Sequence, residues 1–510
     1  MKFNAYILIP TFLGLTLVQA QQKNTGILPN ENLITENIAA IPKELAVQVK
    51  KYSEARGASL AEIHPVKNDI IITTRFGSTA QLHRVVQPLG ARTQITFFDE
   101  PVSGVSYEPT KGEYLIYSKD VGGNEFGQLY QLDLKTLQST LLTDGGRSQN
   151  GGITWRADGK GFYFSSTKRN GGDRDIYYMD PKNPSAAKMV LQVKGGGWGI
   201  LDISKDNSQL LIGEYISANE SHIWSLDIAS GKLSEVTDRA SKGVIQSGAK
   251  FGNSTNEIWF LTDKDNEFER LAILDVKTKK VNYLTSKINW NVENFSFSED
   301  KKQLVFITNE AGRNKMYLMN TKDQSYSEVK NIPTGLIGGA EFTKDNQSLF
   351  FTQSTAQTAS DVYRLSLKNG KIEQWTASEL GEMQASDMAL PKFIEWKSFD
   401  GLGISGFYYP AASKFTGKRP VLIQIHGGPE AQSQASFLGA SNFYTNEMGV
   451  AMIFPNVRGS AGFGKTYLAK DNGMLREDSV KDIGALLDWI AQQPELDKGR
   501  IMSMGGRYGG

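Results

Sequence analysis

From about Ile63 to Ala377 the chain repeats one pattern, a polar turn followed by a run of apolar and β-branched residues. The pattern is plainest in Asp158-Gly-Lys-Gly-Phe-Tyr-Phe164 and returns in Asp206-Asn-Ser-Gln-Leu-Leu-Ile212 and Ser254-Thr-Asn-Glu-Ile-Trp-Phe260. Two further copies are Asp300-Lys-Lys-Gln-Leu-Val-Phe306 and Asp345-Asn-Gln-Ser-Leu-Phe-Phe351, and weaker ones hold Tyr114 to Tyr117 and Ile70 to Thr73. A second strand and a hairpin follow each, clearest from His222 to Leu233 and from Val362 to Ile372. The period is about 45 residues and seven copies fit, which predicts an all-β seven-bladed β-propeller over 58–390. A pair of β-sandwiches would not repeat seven times in register. Trp224, Trp259, Tyr177 and Tyr363 fall on strand positions, as blade core does.

After Leu390-Pro391 the pattern changes. Phe393 to Ser398 and Gly403 to Tyr409 read as two strands around Asp400-Gly401. Lys418 to Ile425 is a continuous apolar strand ending in His426-Gly-Gly-Pro429, and Val450 to Phe454 is another, leading into Asn456-Val-Arg-Gly-Ser-Ala-Gly-Phe-Gly464. A helix is expected near Phe437 to Met448, and a second over Ser479 to Gln493 with Ile483, Leu486, Leu487 and Ile490 on one face. A short buried strand, Ile501 to Met504, then runs into Gly505-Gly-Arg-Tyr-Gly-Gly510. This order of strands and helix predicts the parallel α/β sheet of an incomplete α/β-hydrolase domain over 391–510.

The N-terminus adds a destination. Lys2 precedes an apolar stretch, Ala5 to Val18, and Val18-Gln19-Ala20 supplies small residues before a cut ahead of Gln21. Residues 1–20 therefore read as a signal peptide, with a membrane anchor as the competing reading, and 21–57 as a polar lead-in with an amphipathic piece at Leu45 to Tyr52. The expected product is exported, periplasmic or secreted, with no membrane span after signal removal. Over 510 residues the net charge is +1 and no basic cluster appears beyond Lys277 to Lys280, a solvated hairpin turn, so nucleic acid is not an expected partner. There is no cysteine, and of four histidines His64, His83 and His222 show no carboxylate or histidine at ligand spacing. Neither a metal nor a cofactor is expected.

Two motifs carry chemistry. The strand ending in His426, Gly427 and Gly428 is shaped like a loop whose backbone N–H groups face a developing oxyanion. Gly505 and Gly509 occupy the outer positions of a nucleophile elbow, G-x-S-x-G, with Gly506 and Gly510 beside them, and Tyr508 follows the centre to supply a second N–H. The centre is Arg507, where serine is expected. A guanidinium stays protonated and cannot attack a carbonyl.

In this order, behind a propeller, the motifs resemble the prolyl oligopeptidase family of serine peptidases, and most closely its acylaminoacyl-peptidase-like branch. Members of this type read Gly-Gly-Ser-Tyr-Gly-Gly at the elbow. The resemblance implies hydrolysis of short peptides by serine, histidine and aspartate, with the propeller restricting entry. The dipeptidyl-peptidase-IV-like branch holds a free amino terminus with adjacent glutamates; no adjacent pair occurs here, though the spaced Glu267 and Glu269 keep that branch open.

The sequence departs from the family at Arg507, and no acid or histidine follows it before Gly510. The expectation is a truncated, catalytically silent copy: a stable propeller carrying a poorly stable part-sheet. The alternatives are a propeller retained as a non-catalytic binding module, and an α/β-hydrolase that cleaves esters. Cleavage-site preference, exo- or endopeptidase action and oligomeric state stay open.

Overall fold

The structure is a computed structural model that describes residues 26–27, 29–428 and 430–510. The segment read as a signal peptide and Pro429 lie outside the described residues. The chain divides into two units between Lys51 and Tyr52. In the first, Gly26–Ile27 pairs antiparallel with Ile41–Pro42; the helix Lys43–Ser53, which runs past Lys51, contains the amphipathic piece expected at Leu45 to Tyr52.

The second unit opens with seven four-stranded antiparallel sheets, each built from contiguous residues. Blade 1 runs from Ser59–Ile63 to Thr93–Gln94, blade 4 from Trp198–Ile203 to Leu233–Glu235, and blade 5 from Gln246–Phe251 to Val281–Tyr283. Blade 6 runs from Asn291–Phe297 to Tyr326–Glu328 and blade 7 from Leu336–Phe342 to Ile372–Gln374. The repeated apolar run is the second strand of every blade. It is sandwiched between neighbouring blades on both faces, so Phe162–Ser166 is buried at all five positions. That is why the run is apolar without alternation.

The polar turn before each run is a local device. Asp158, Asp206, Asp300 and Asp345 each accept a hydrogen bond from the N–H two residues on, at 3.0–3.2 Å. The residue between is left-handed, at φ 58° in Asn207, Lys301 and Asn346 and at φ 67° in Gly159. The ring closes without a shared strand. Blade 7 packs Phe350, Val362 and Trp375 against Ile63, Ile70, Ile72 and Val85 of blade 1. Ala58 N–H also donates to Ser360 O at 2.7 Å.

The remaining residues form one five-stranded sheet. Its order is Lys392–Lys397, Gly403–Tyr409, Ala451–Asn456, Arg419–Ile425, Leu496–Gly505. The last three strands are parallel, as expected, and the Lys392–Tyr409 hairpin joins them antiparallel around Gly401, whose φ is +82°. The helix Glu477–Gln492 covers one face by burying Leu486 and Ile490 against Val421, Ile423 and Ile453.

Three expectations need correcting. Leu487 is 41% exposed, because it lies beyond the stripe that meets the sheet. The helix near 437–448 shortens to Asn442–Asn446 after a 3₁₀ turn, Gly439–Ser441. The strand before the elbow is not buried: Met502 and Met504 are 56% and 37% exposed, because Leu496–Gly505 is the edge strand among the described residues.

Candidate active site

The elbow is a sharp turn between the strand Leu496–Gly505 and a 3₁₀ turn, Arg507–Gly509. Arg507 sits at its centre with φ +56°, a left-handed backbone that costs a non-glycine residue about 1–2 kcal/mol. The two outer glycines are there for lack of space. A Cβ on Gly505 would overlap the Gly509 carbonyl, and one on Gly509 would sit 2.5 Å from Ile425 O and 2.8 Å from His426 O. At Gly506 nothing lies within 4 Å, and at Gly510 the contacts are ordinary. The chain therefore meets the spatial requirements of a nucleophile elbow and supplies no nucleophile at its apex.

The loop after Arg419–Ile425 lies against this turn. A Cβ on Gly427 would be 2.7 Å from Gly506 O, 3.1 Å from the Arg507 Cβ and 3.5 Å from the Tyr508 N. Gly427 and the Tyr508 N–H thus come together beside residue 507. Gly428 turns at φ +137° beneath the N–H groups of Glu430 and Ala431. The His426 ring meets Ser460. Its Nε2 lies 2.8 Å from Ser460 Oγ and its Nδ1 3.1 Å from Gly427 O. Burial pushes the imidazole below its ordinary range, partly offset by the contact with Gly427 O. Ser460 Oγ donates to Val457 O at 2.6 Å, which fixes the hydroxyl beside the His426 ring. The Tyr508 hydroxyl lies 3.3 Å from Ser479 Oγ, and a cavity of about 500 Å³ opens beside it between the elbow and the helix Glu477–Gln492.

Ser460 belongs to the loop 456–464, whose base is fixed by a buried charge network. Arg458 donates to Asp482 through Nε (3.1 and 3.0 Å) and Nη2 (2.8 Å), and to Asp400 through Nη1 (2.9 Å) and Nη2 (3.1 Å). Hydrogen bonding to Arg458 holds the Asp400 carboxyl at about 2. Sequence reasoning assigned no role to Ser460, Arg458 or Asp482. The one available signal was an arginine inside a glycine-rich loop, 24 residues before an aspartate on the buried side of a helix.

On the propeller, the spaced pair Glu267 and Glu269 separates. Glu267 is occupied: its carboxylate accepts from Thr466 N (3.0 Å) and Thr466 Oγ1 (2.6 Å) on the hydrolase side. Glu269 instead lines a cavity of about 530 Å³ with Trp198, Tyr215, His222 and Ser247. Burial, then the nearby Asp263 and Glu293 carboxylates, raise Glu269 to about 7. His222 is not isolated as expected: its Nε2 is 3.1 Å from Glu220 Oε1, two residues away along the same strand and on the same face. His64 and His83 are buried within the blades.

A seven-bladed propeller joined to a partial α/β-hydrolase sheet defines the class of fold. Residues 101–378 match the model for the N-terminal β-propeller domain of prolyl oligopeptidase, and residues 436–510 match that for the prolyl oligopeptidase family. The chain belongs to the prolyl oligopeptidase family. It is 23% identical over 307 residues to Dipeptidyl-peptidase 5 of Porphyromonas gingivalis, covering 58% of this chain and 43% of that one. It is 22% identical over 460 residues to Dipeptidyl aminopeptidase BIII of Pseudoxanthomonas mexicana, covering 79% and 59%. The chain thus spans about half the length of these curated relatives. Among solved structures, one of two prolyl endopeptidases superposes with a TM-score of 0.78 at 15% identity, covering 91% of this chain and 71% of that one. Prolyl oligopeptidase B from Galerina marginata, bound to a 25mer macrocyclization substrate, gives 0.77 at 14% identity, covering 91% and 70%. These likenesses speak for the fold.

Proposed function

We propose that the chain is the propeller and elbow-bearing part of an exported serine-type peptidase for short peptides, and that Arg507 silences its elbow. The observation that carries this reading is Arg507 itself, left-handed at the apex of a turn whose outer glycines admit no Cβ and whose flank is Gly427. Whatever chain accompanies it, a guanidinium at that apex offers no lone pair for attack.

Two proteins test the proposal: this chain, and a chimera with Arg507→Ser followed by the segment that comes after the elbow in Dipeptidyl-peptidase 5 of Porphyromonas gingivalis. Fluorogenic peptides should be hydrolysed by the chimera alone. Turnover by the Arg507 protein would show that the elbow is not the reacting centre. A folded but silent chimera would favour the second reading, a propeller kept for binding, which Arg507 also supports. Export is tested by N-terminal sequencing of the secreted or periplasmic protein, expected to begin at Gln21.

Glu269 sharpens the substrate class. A half-buried carboxylate that faces a cavity, with no ion-pair partner among the described residues, suits a protonated amine. The chimera should therefore prefer peptides with a free amino terminus to their N-acetylated forms, and equal rates would remove Glu269 from the substrate site.

A further inference from the structure

Resting on that reading of the elbow, we propose that Glu267, a propeller residue, is a positioning residue for His426 and couples the propeller to the oxyanion side of the hydrolase. The loop joining the second and third strands of blade 5 crosses to the hydrolase and grips the start of the helix Lys465–Leu468. Lys465 N–H donates to Glu267 O at 2.9 Å, and Lys465 Nζ donates to Asp263 O at 3.0 Å. The Glu267 carboxylate takes both the backbone and the hydroxyl of Thr466, and hydrogen bonding to Thr466 depresses its pKa. Gly464, at φ +91°, lets Glu267 approach so closely that a Cβ there would lie 3.0 Å from Glu267 Oε2. Beside this contact Phe463 meets Trp290 edge-on at 6.5 Å.

Three short links join this grip to the imidazole. Tyr467 O accepts from Gly459 N–H at 3.1 Å, and Tyr467 Oη donates to Asn456 O at 2.7 Å. Ser460, next in the chain, holds His426 Nε2. His426 precedes Gly427, which lies against residue 507. The loop 456–464 thus has one foot in the hydrolase, at Arg458, and the other in the propeller, at Glu267. Ser460 lies between them. A shift of blade 5 relative to the sheet must move the second foot or break it, and either displaces the hydroxyl that orients His426. A cap that served only the four-residue helix would end its influence at Thr466.

The test is Glu267→Ala in the 510-residue protein, read by amide hydrogen exchange and by the ring ¹⁵N signals of selectively labelled histidine. With four histidines the His426 signals are assignable from a His426→Gln control. Losing hydrogen bonds to a charged acceptor should speed exchange at Thr466 about tenfold or more. The proposal requires that exchange at Gly459 and Ala461 rise with it, that the His426 nitrogens shift, and that amides of blade 2, from Ser103–Tyr107 to Ser139–Leu141, stay unchanged. Glu267→Gln, which keeps one carbonyl acceptor, should give intermediate changes. If the alanine variant does not fold, Thr466→Val, which removes the hydroxyl donor alone, should still shift His426. Faster exchange confined to Lys465 and Thr466, with His426 unmoved, overturns the proposal. Since no turnover is measured, that result beside an active chimera refutes the coupling alone. A silent chimera beside shifted His426 signals refutes only the peptidase reading.

Discussion

Replacing Arg458 by methionine should be among the most damaging single changes in the hydrolase part. Arg458 is 4% exposed, and its partner Asp482 is fully buried. Asp482 accepts three guanidinium bonds and two others, from Arg458 N at 2.9 Å and Ser398 Oγ at 2.6 Å. Methionine fills much of the arginine stem but leaves the carboxylate buried without a cation. Breaking a buried pair from one side costs about 3–5 kcal/mol. Because Ser398 and the backbone N–H remain on the carboxylate, the expected loss is near the lower bound, about 3 kcal/mol.

The assay is urea denaturation followed through the ¹⁹F signal of 5-fluorotryptophan at Trp396, whose indole donates to Asp482 O at 3.1 Å. The double variant Arg458→Met, Asp482→Leu removes both charges, and replacing a buried pair by apolar residues is often close to neutral. It should recover at least half of the loss. A single-variant loss below about 1 kcal/mol, or losses that simply add in the double variant, would refute the reasoning: the network would then be an ornament of the loop rather than its anchor.

Three further outcomes are expected. Gly312→Ala should cost about 2–3 kcal/mol, since φ is +80° and the new Cβ would stand 2.9 Å from the Phe407 ring across the domain junction; calorimetry should show the propeller and hydrolase transitions separating. Gly505→Ala should destabilise the elbow by about 3 kcal/mol while Gly506→Ala changes melting by less than about 0.5 kcal/mol, because only the former meets a carbonyl. Glu269 is raised from 4.5 to about 7, so between those values the folded state holds the proton more tightly and stability falls as pH rises. Glu62, raised by burial from 4.5 to about 8, adds a slope of the same sign, so Glu269→Gln should make the fall in melting temperature over this window shallower without abolishing it.

The second strand of every blade was legible because both its faces are covered, and continuous burial leaves an unbroken apolar run. The first strands were not. In all seven blades the pairing of first and second strands shifts register, as at Gly151/Thr154, Ile200/Asp202 and Ser247/Lys250. Each shift breaks the two-residue alternation by which a strand is read. The elbow was legible because its glycines answer to steric limits local to the turn. The contact of Glu267 with Thr466 was not legible, because spacing along the chain does not reveal that a blade loop crosses to another domain. The exposure of Met502 and Met504 was missed for a related reason: an apolar strand looks the same in sequence at the middle of a sheet and at its edge.

The unlatched ring has one more consequence. Blade 1 and blade 7 are neighbours, so the polypeptide enters and leaves the propeller at the same seam. Just before entry, Tyr52 donates to Glu447 Oε1 at 2.5 Å and packs edge-on against Phe443, both residues of the hydrolase part. Just after exit, the chain goes directly into the sheet. The hydrolase thus holds both ends of the propeller's chain at one seam, in addition to its contacts with Glu267 and Gly312. Opposite the seam lies blade 4, flanked by blades 3 and 5, and from blade 5 Glu267 reaches across to Thr466, so the ring is tied to the hydrolase far from its chain ends as well.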